Sequence, residues 1–109
     1  MPPTTATEIF ARMPDAFRPH AAEGADVVFQ FHISDLEPGD WNVVIRDQTC
    51  RMNEGRHEAP SVALTMKEEH WVGLASGTIN PMMAFMTGKI TASGDLSVAQ
   101  KLGTFFRLG

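Results

Sequence analysis

From Ala25 onward the apolar residues stop recurring every three or four positions and fall on every second one. That switch constrains the fold more than any other feature of the chain. Val27, Phe29, Phe31 and Ile33 point one way while Val28, Gln30, His32 and Ser34 point the other, the pattern of a half-buried strand. Pro38-Gly39 carries the residue types of the centre of a type II turn. After it Trp41, Val43 and Ile45 alternate with Asn42, Val44 and Arg46, which predicts a hairpin. Thr49 to Asn53 reads as a third strand leaving through Asn53-Glu54-Gly55, and Val62, Leu64 and Met66 mark a fourth after a polar loop. Four strands in meander style are expected.

Helical spacing flanks this block. Thr5-x-x-Glu8 has the spacing of a capping box, Ile9, Phe10 and Met13 share a stripe, and Pro14 is expected to end the helix, with a second short turn from Asp15 to Phe17. From Glu68, the residues Trp71, Val72, Leu74 and Ala75 share one arc, and Gly77 suits the stop. Asn80 is a good N-cap and Pro81 a good first residue for a helix running to Thr87 and closed by Gly88. Met82, Met83, Ala84, Phe85 and Met86 surround that helix almost completely, so it is expected to be covered on nearly every side, by protein or by something protein-bound. Lys89 to Ser93 is a fifth strand. Gly94-Asp95 then leads into one amphipathic helix with Val98, Ala99, Leu102, Gly103, Phe105 and Phe106 on its apolar half. The order predicts an α+β domain, helices packed on one face of a mostly antiparallel five-stranded sheet.

A length of 109 residues with 43% hydrophobic content fits one domain, 1–109, burying roughly two-thirds of its unfolded surface. Nine basic residues scattered among 13 acidic ones give a net charge of −4 and no basic face, which argues against nucleic acid and against an anionic membrane surface as main partner. The longest apolar run, Met82 to Met86, is far too short to span a bilayer, so no stable membrane insertion is expected. A single cysteine, Cys50, and an N-terminus without an apolar h-region lead to the expectation of a cytoplasmic protein.

No catalytic constellation emerges. His20, His32, His57 and His70 never take metal-ligand spacing, and one cysteine cannot complete a zinc set. Cys50 reads as a small buried hydrophobe, Glu68-Glu69 as complements to a helix dipole, and His70 as a solvated residue on a polar arc. Gly88 and Gly94 lack phosphate-cradling spacing, so no nucleotide cofactor is expected.

The string Leu64-Thr65-Met66, then Trp71 and Leu74, then Gly77-x-x-Asn80-Pro81-x-x-Ala84-Phe85-Met86-x-Gly88-Lys89-Ile90-x-x-x-Gly94-Asp95 and the amphipathic tail resembles the sterol carrier protein type 2 family. The match covers about half the chain, and several fixed spacings agree at once. The resemblance implies a five-stranded sheet whose helices enclose an apolar tunnel for a fatty acyl chain, sterol or phospholipid. It brings neither catalytic residues nor a cofactor. Some members of that family serve instead as accessory or dimerisation modules of larger enzymes or in quinone biosynthesis.

Seven Met, seven Phe and no Tyr make the apolar residues soft or flat and without polar handles, and a methionine wall adapts to ligands of different outline. The expected lining is Phe29, Phe31, Trp41, Met66, Trp71, Leu74, Met82, Met83, Phe85, Met86, Leu102 and Phe106. Burying a sixteen-carbon chain at ~0.8 kcal/mol per methylene contributes about 12 kcal/mol gross, so micromolar affinity survives the cost of lost freedom. The expectation is a non-enzymatic lipid-binding protein, monomeric or homodimeric. The alternatives are an interaction module with a filled core and a small cavity enzyme using Asp15, His32 or His70.

Overall fold

The computed structural model describes residues 4–107. The residues at the two extreme ends, on which the targeting expectations partly rest, lie outside that range. In chain order the elements are α1 (Ala6–Ala16), a 3-10 turn (Pro19–Ala22), β1 (Val27–Ile33), β2 (Asp40–Arg46), β3 (Thr49–Glu54), β4 (Val62–Met66), α2 (Glu68–Ser76), α3 (Pro81–Met86), β5 (Ile90–Gly94), α4 (Leu96–Gln100) and α5 (Leu102–Phe105). All five expected strands form. Their order is β3-β2-β1-β4-β5, antiparallel throughout except for β1 beside β4.

The meander expectation is corrected at β4, which crosses the sheet to pair with β1. The crossover is the polar loop after β3, laid over the face that the helices leave uncovered. Gln30 fastens it: its amide oxygen accepts from His57 N at 2.8 Å and its Nε2 donates to the Gly55 carbonyl at 3.2 Å. Asn42 Nδ2 donates to the same carbonyl at 3.1 Å. Gln30 and Asn42, expected to face water, are therefore buried at 8% and 4% exposure with their polar atoms paired.

The β1–β2 connection also differs from expectation. Its hydrogen-bonded turn is Leu36 N to Ile33 O at 3.1 Å, ahead of Pro38-Gly39, and Gly39 lacks the positive φ that the third position of a type II turn requires.

Phe29, Phe31 and Ile33 line up with Val43, Trp41, Val62, Leu64 and Met66 on the covered face. Phe10 of α1 sits at the centre of that face. Its ring stacks on Trp41 at 4.6 Å and on Trp71 at 5.3 Å, and meets Phe31 edge-on at 5.2 Å. Each such pair contributes about 0.5–1.5 kcal/mol beyond the area it buries.

Two helix ends differ from the periodicity. α1 runs through Pro14 to Ala16, although Pro14 has no N–H for the preceding turn. Burial of Ile9, Phe10 and Met13 outweighs that loss, and the end of α1 is held from outside: Arg107 N donates to the Ala16 carbonyl at 2.9 Å, beside an antiparallel bridge between Phe17 and Phe106. The expected closing helix is also divided in two, and this bridge ends its second part. The chain turns at Lys101, and Phe106 leaves α5 in extended conformation to bury its ring against Phe17, with centroids 5.6 Å apart.

Candidate ligand-binding cleft

Trp71 and Leu74 stand one turn apart on the same side of α2. The helix start is tied down by carboxylates from elsewhere: Asp35 accepts from Glu68 N at 2.9 Å, and Glu68 in turn accepts from Ala6 N at 3.0 Å, capping α1. The helix stops at Gly77, which is left-handed at φ 81°, with its N–H on the Leu74 carbonyl and Thr78 N–H on the Gly73 carbonyl at 2.9 Å. That motif turns the chain back along α2. Gly73 makes room for the return, since a Cβ there would collide with the Ile79 side chain. Asn80 then caps α3, its Oδ1 accepting from Met82 N and Met83 N at 2.9 and 3.2 Å.

The folded-back segment, α2 and the start of α5 enclose a cleft of about 430 Å³ lined by Trp71, Leu74, Gly77, Thr78, Ile79, Asn80, Pro81, Leu102 and Gly103. No charged side chain lines it, and its size lies within the range of small-molecule sites. A larger groove of about 570 Å³ lies along Trp41 at the β1–β2 connection, but Glu37, Asp40 and Glu54 surround it. Volume therefore does not decide between the two. Carboxylates disfavour both an apolar chain and an anionic head group, so the cleft is the better lipid site.

Of the twelve residues expected to line a cavity, Trp71, Leu74 and Leu102 meet in this cleft. Phe29, Phe31, Met66 and Phe106 are buried in the core, and Trp41 lies between the core and the acidic groove. Met82, Met83, Phe85 and Met86 are placed at the surface, 72%, 56%, 40% and 76% exposed. The expectation that α3 is covered all round is corrected here: six residues present one small contact residue, Ala84, and only that residue is buried. Ile79 and Pro81 were missed. The signal for Ile79 was an apolar residue just after a helix-stopping glycine, which often packs back on the last turn.

The catalytic candidates do not converge. Asp15 is exposed. His32 lies on the face opposite the helices, where its Nδ1 donates to Asp40 Oδ1 at 2.8 Å, and Arg56 Nε meets the other carboxylate oxygen at 3.3 Å. Partial burial alone would raise the Asp40 pKa, but the hydrogen bonds from His32 and Arg56 and the guanidinium charge outweigh it and hold the carboxyl below the usual 3.8. His70 is not the solvated residue expected: its side chain is 18% exposed and its Nδ1 has no partner among the described residues. Trp71 Nε1 is likewise unpaired, enclosed against the Phe10 and Phe31 rings. Burial pushes the Cys50 thiol up to about 11, which leaves it a poor nucleophile at neutral pH. Among the described residues no group of three or more His, Cys, Asp or Glu is placed to hold a metal ion, and no helix is long and apolar enough to cross a membrane.

The five-stranded mixed sheet with its helices matches the fold of sterol carrier domains. The structure superposes on palmitated SCP2L2 from Aedes aegypti with a TM-score of 0.70 at 24% identity, over 93% of each chain. The chain belongs to the SCP-2 sterol transfer family, whose sequence profile matches residues 7–107. It is also similar to hydroxysteroid dehydrogenase-like protein 2 of Rattus norvegicus, 28% identical over 96 residues, which is 87% of this chain and 18% of that protein. The sec-alkylsulfatase Pisa1 from Pseudomonas sp. contains a similar unit, with a TM-score of 0.78 at 21% identity over 92% of this chain and 15% of Pisa1. The chain thus spans under a quarter of the length of the curated relatives it matches.

Proposed function

We propose that residues 1–109 act as one non-catalytic domain that binds a fatty acyl chain, sterol or phospholipid by its apolar body. The observation that carries this reading is the uncharged cleft of about 430 Å³ inside the part of the chain that bears the family's motif. Trp71 both lines that cleft and packs on Phe31. A ligand that displaces the Trp71 ring therefore reaches Phe29, Phe31 and Met66, and the expected tunnel opens inward from the cleft. Head groups stay at the mouth, since the cleft offers only Thr78 and Asn80 as polar side chains.

Native mass spectrometry of the purified protein and displacement of a fluorescent fatty acyl probe test the reading. A bound lipid mass and micromolar displacement are expected, with Leu102→Trp, which fills the cleft, weakening the probe at least tenfold. Bare protein that ignores the probe sinks it. One observation favours a second reading, a docking or dimerisation module: Phe29, Phe31, Trp41 and Met66 already pack into a filled core. A constitutive dimer by light scattering, unchanged by lipid, decides for that module.

A further inference from the structure

We infer that α3 is the surface by which this protein touches a lipid bilayer, lying flat in the head-group layer beside the cleft mouth. At about 100° per residue, Ala84 stands opposite the midpoint between Met82 and Met86, with Met83 and Phe85 on the flanks. The exposures follow that wheel: Ala84 is buried, Met82 and Met86 are the most exposed, and Phe85 is the least exposed of the other four. A helix seated through one alanine and apolar everywhere else leaves a continuous apolar surface exposed, which marks an interaction site.

Charge selects the occupant. The chain carries 13 acidic residues, yet none lies between His70 and Gly94, and exposed Lys89 follows the stop of α3. Lys101, also exposed, precedes Leu102 on the facing wall of the cleft. The segment that carries α3 is thus free of carboxylates and holds Lys89, and its apolar and basic side chains suit phosphate-bearing head groups. Area points the same way. The four side chains present on the order of 500 Å², the size of the largest and often functional patch on a typical monomer and short of the about 800 Å² per partner that a stable dimer takes. Asn80 and Pro81 belong both to the cleft lining and to the start of α3, so a lipid leaving the bilayer passes directly from one to the other.

The purpose of this contact rests on the lipid-binding reading, but its test is separate. Flotation with phosphatidylcholine vesicles, alone and with 30% phosphatidylserine, is compared for the wild type, the Met82→Gln/Met86→Gln pair and Lys89→Glu. Wild type is expected to float with both kinds of vesicle, and more with the anionic ones. The glutamine pair should lose at least tenfold in vesicle partitioning while its affinity for the soluble fatty acyl probe is unchanged, and Lys89→Glu should lose only the preference for phosphatidylserine. A wild type that fails to float, or a glutamine pair that floats like wild type, overturns the inference even if the probe binds. So does a wild-type dimer that the glutamine pair dissociates, since α3 is then a self-interface.

Discussion

Phe10 and Met86 belong to the same chemical class and sit on helices that both pack against the sheet, yet one is fully buried and the other three-quarters exposed. The difference lies in what each helix offers its neighbour. α1 presents Ile9, Phe10 and Met13 on one stripe, broad enough to fill the space between Trp41, Phe31 and Trp71. α3 is one and a half turns long and seats only Ala84. An apolar side chain is buried when the fold provides a matching surface, and apolarity by itself does not provide one.

The sharpest way to break this comparison is to truncate both residues. Phe10→Ala should cost about 3–5 kcal/mol in urea denaturation, because three aromatic neighbours lose their common partner, whereas Met86→Ala should stay within about 0.5 kcal/mol. Equal losses would mean that α3 is buried in solution. Gly73→Ala comes next. The new Cβ must displace Ile79, an overpacking cost of about 1–3 kcal/mol offset by about 1 kcal/mol of helix propensity, and probe affinity should fall as the cleft wall shifts. Adding Ile79→Ala should restore stability, and additive losses would count against the contact. A smaller effect is expected from Asp40. Its folded pKa lies below the unfolded value, so its contribution is present above about pH 4 and is lost as pH falls through the folded pKa. Asp40→Asn should lower stability modestly at neutral pH, flatten its fall below pH 4 and converge on the wild type at lower pH. Smallest of all, the Cys50 thiol should react slowly with iodoacetamide at pH 7.5 in native protein and accelerate only as pH approaches 11, while denatured protein reacts fast at both.

What was legible in the sequence is what short-range chemistry decides. The strand periodicity, the capping by Thr5 and Asn80, and the stop at Gly77 rest on residues near one another in the chain, and all appear in the structure. The crossover of β4 was not legible, because it depends on Gln30 and Asn42 reaching carbonyl and amide groups 13 to 27 positions away. The extended exit of Phe106 from α5 meets Phe17, far away in the chain. In the cleft, Trp71 and Leu74 were readable from the arc of α2, but the fate of the methionines was not. A helical wheel shows which side chains share a face and carries no information about whether another element meets that face.

The Phe17–Phe106 bridge has a consequence for motion. Its rings and the hydrogen bonds from Arg18 N to Phe105 O and from Arg107 N to Ala16 O join segments separated by nearly the whole chain, so they can form only after the sheet has brought α1 and α5 together. When this clasp opens it releases α5, and with α5 goes the Leu102 wall of the cleft. The clasp thus ties the position of the Leu102 wall to the far end of α1.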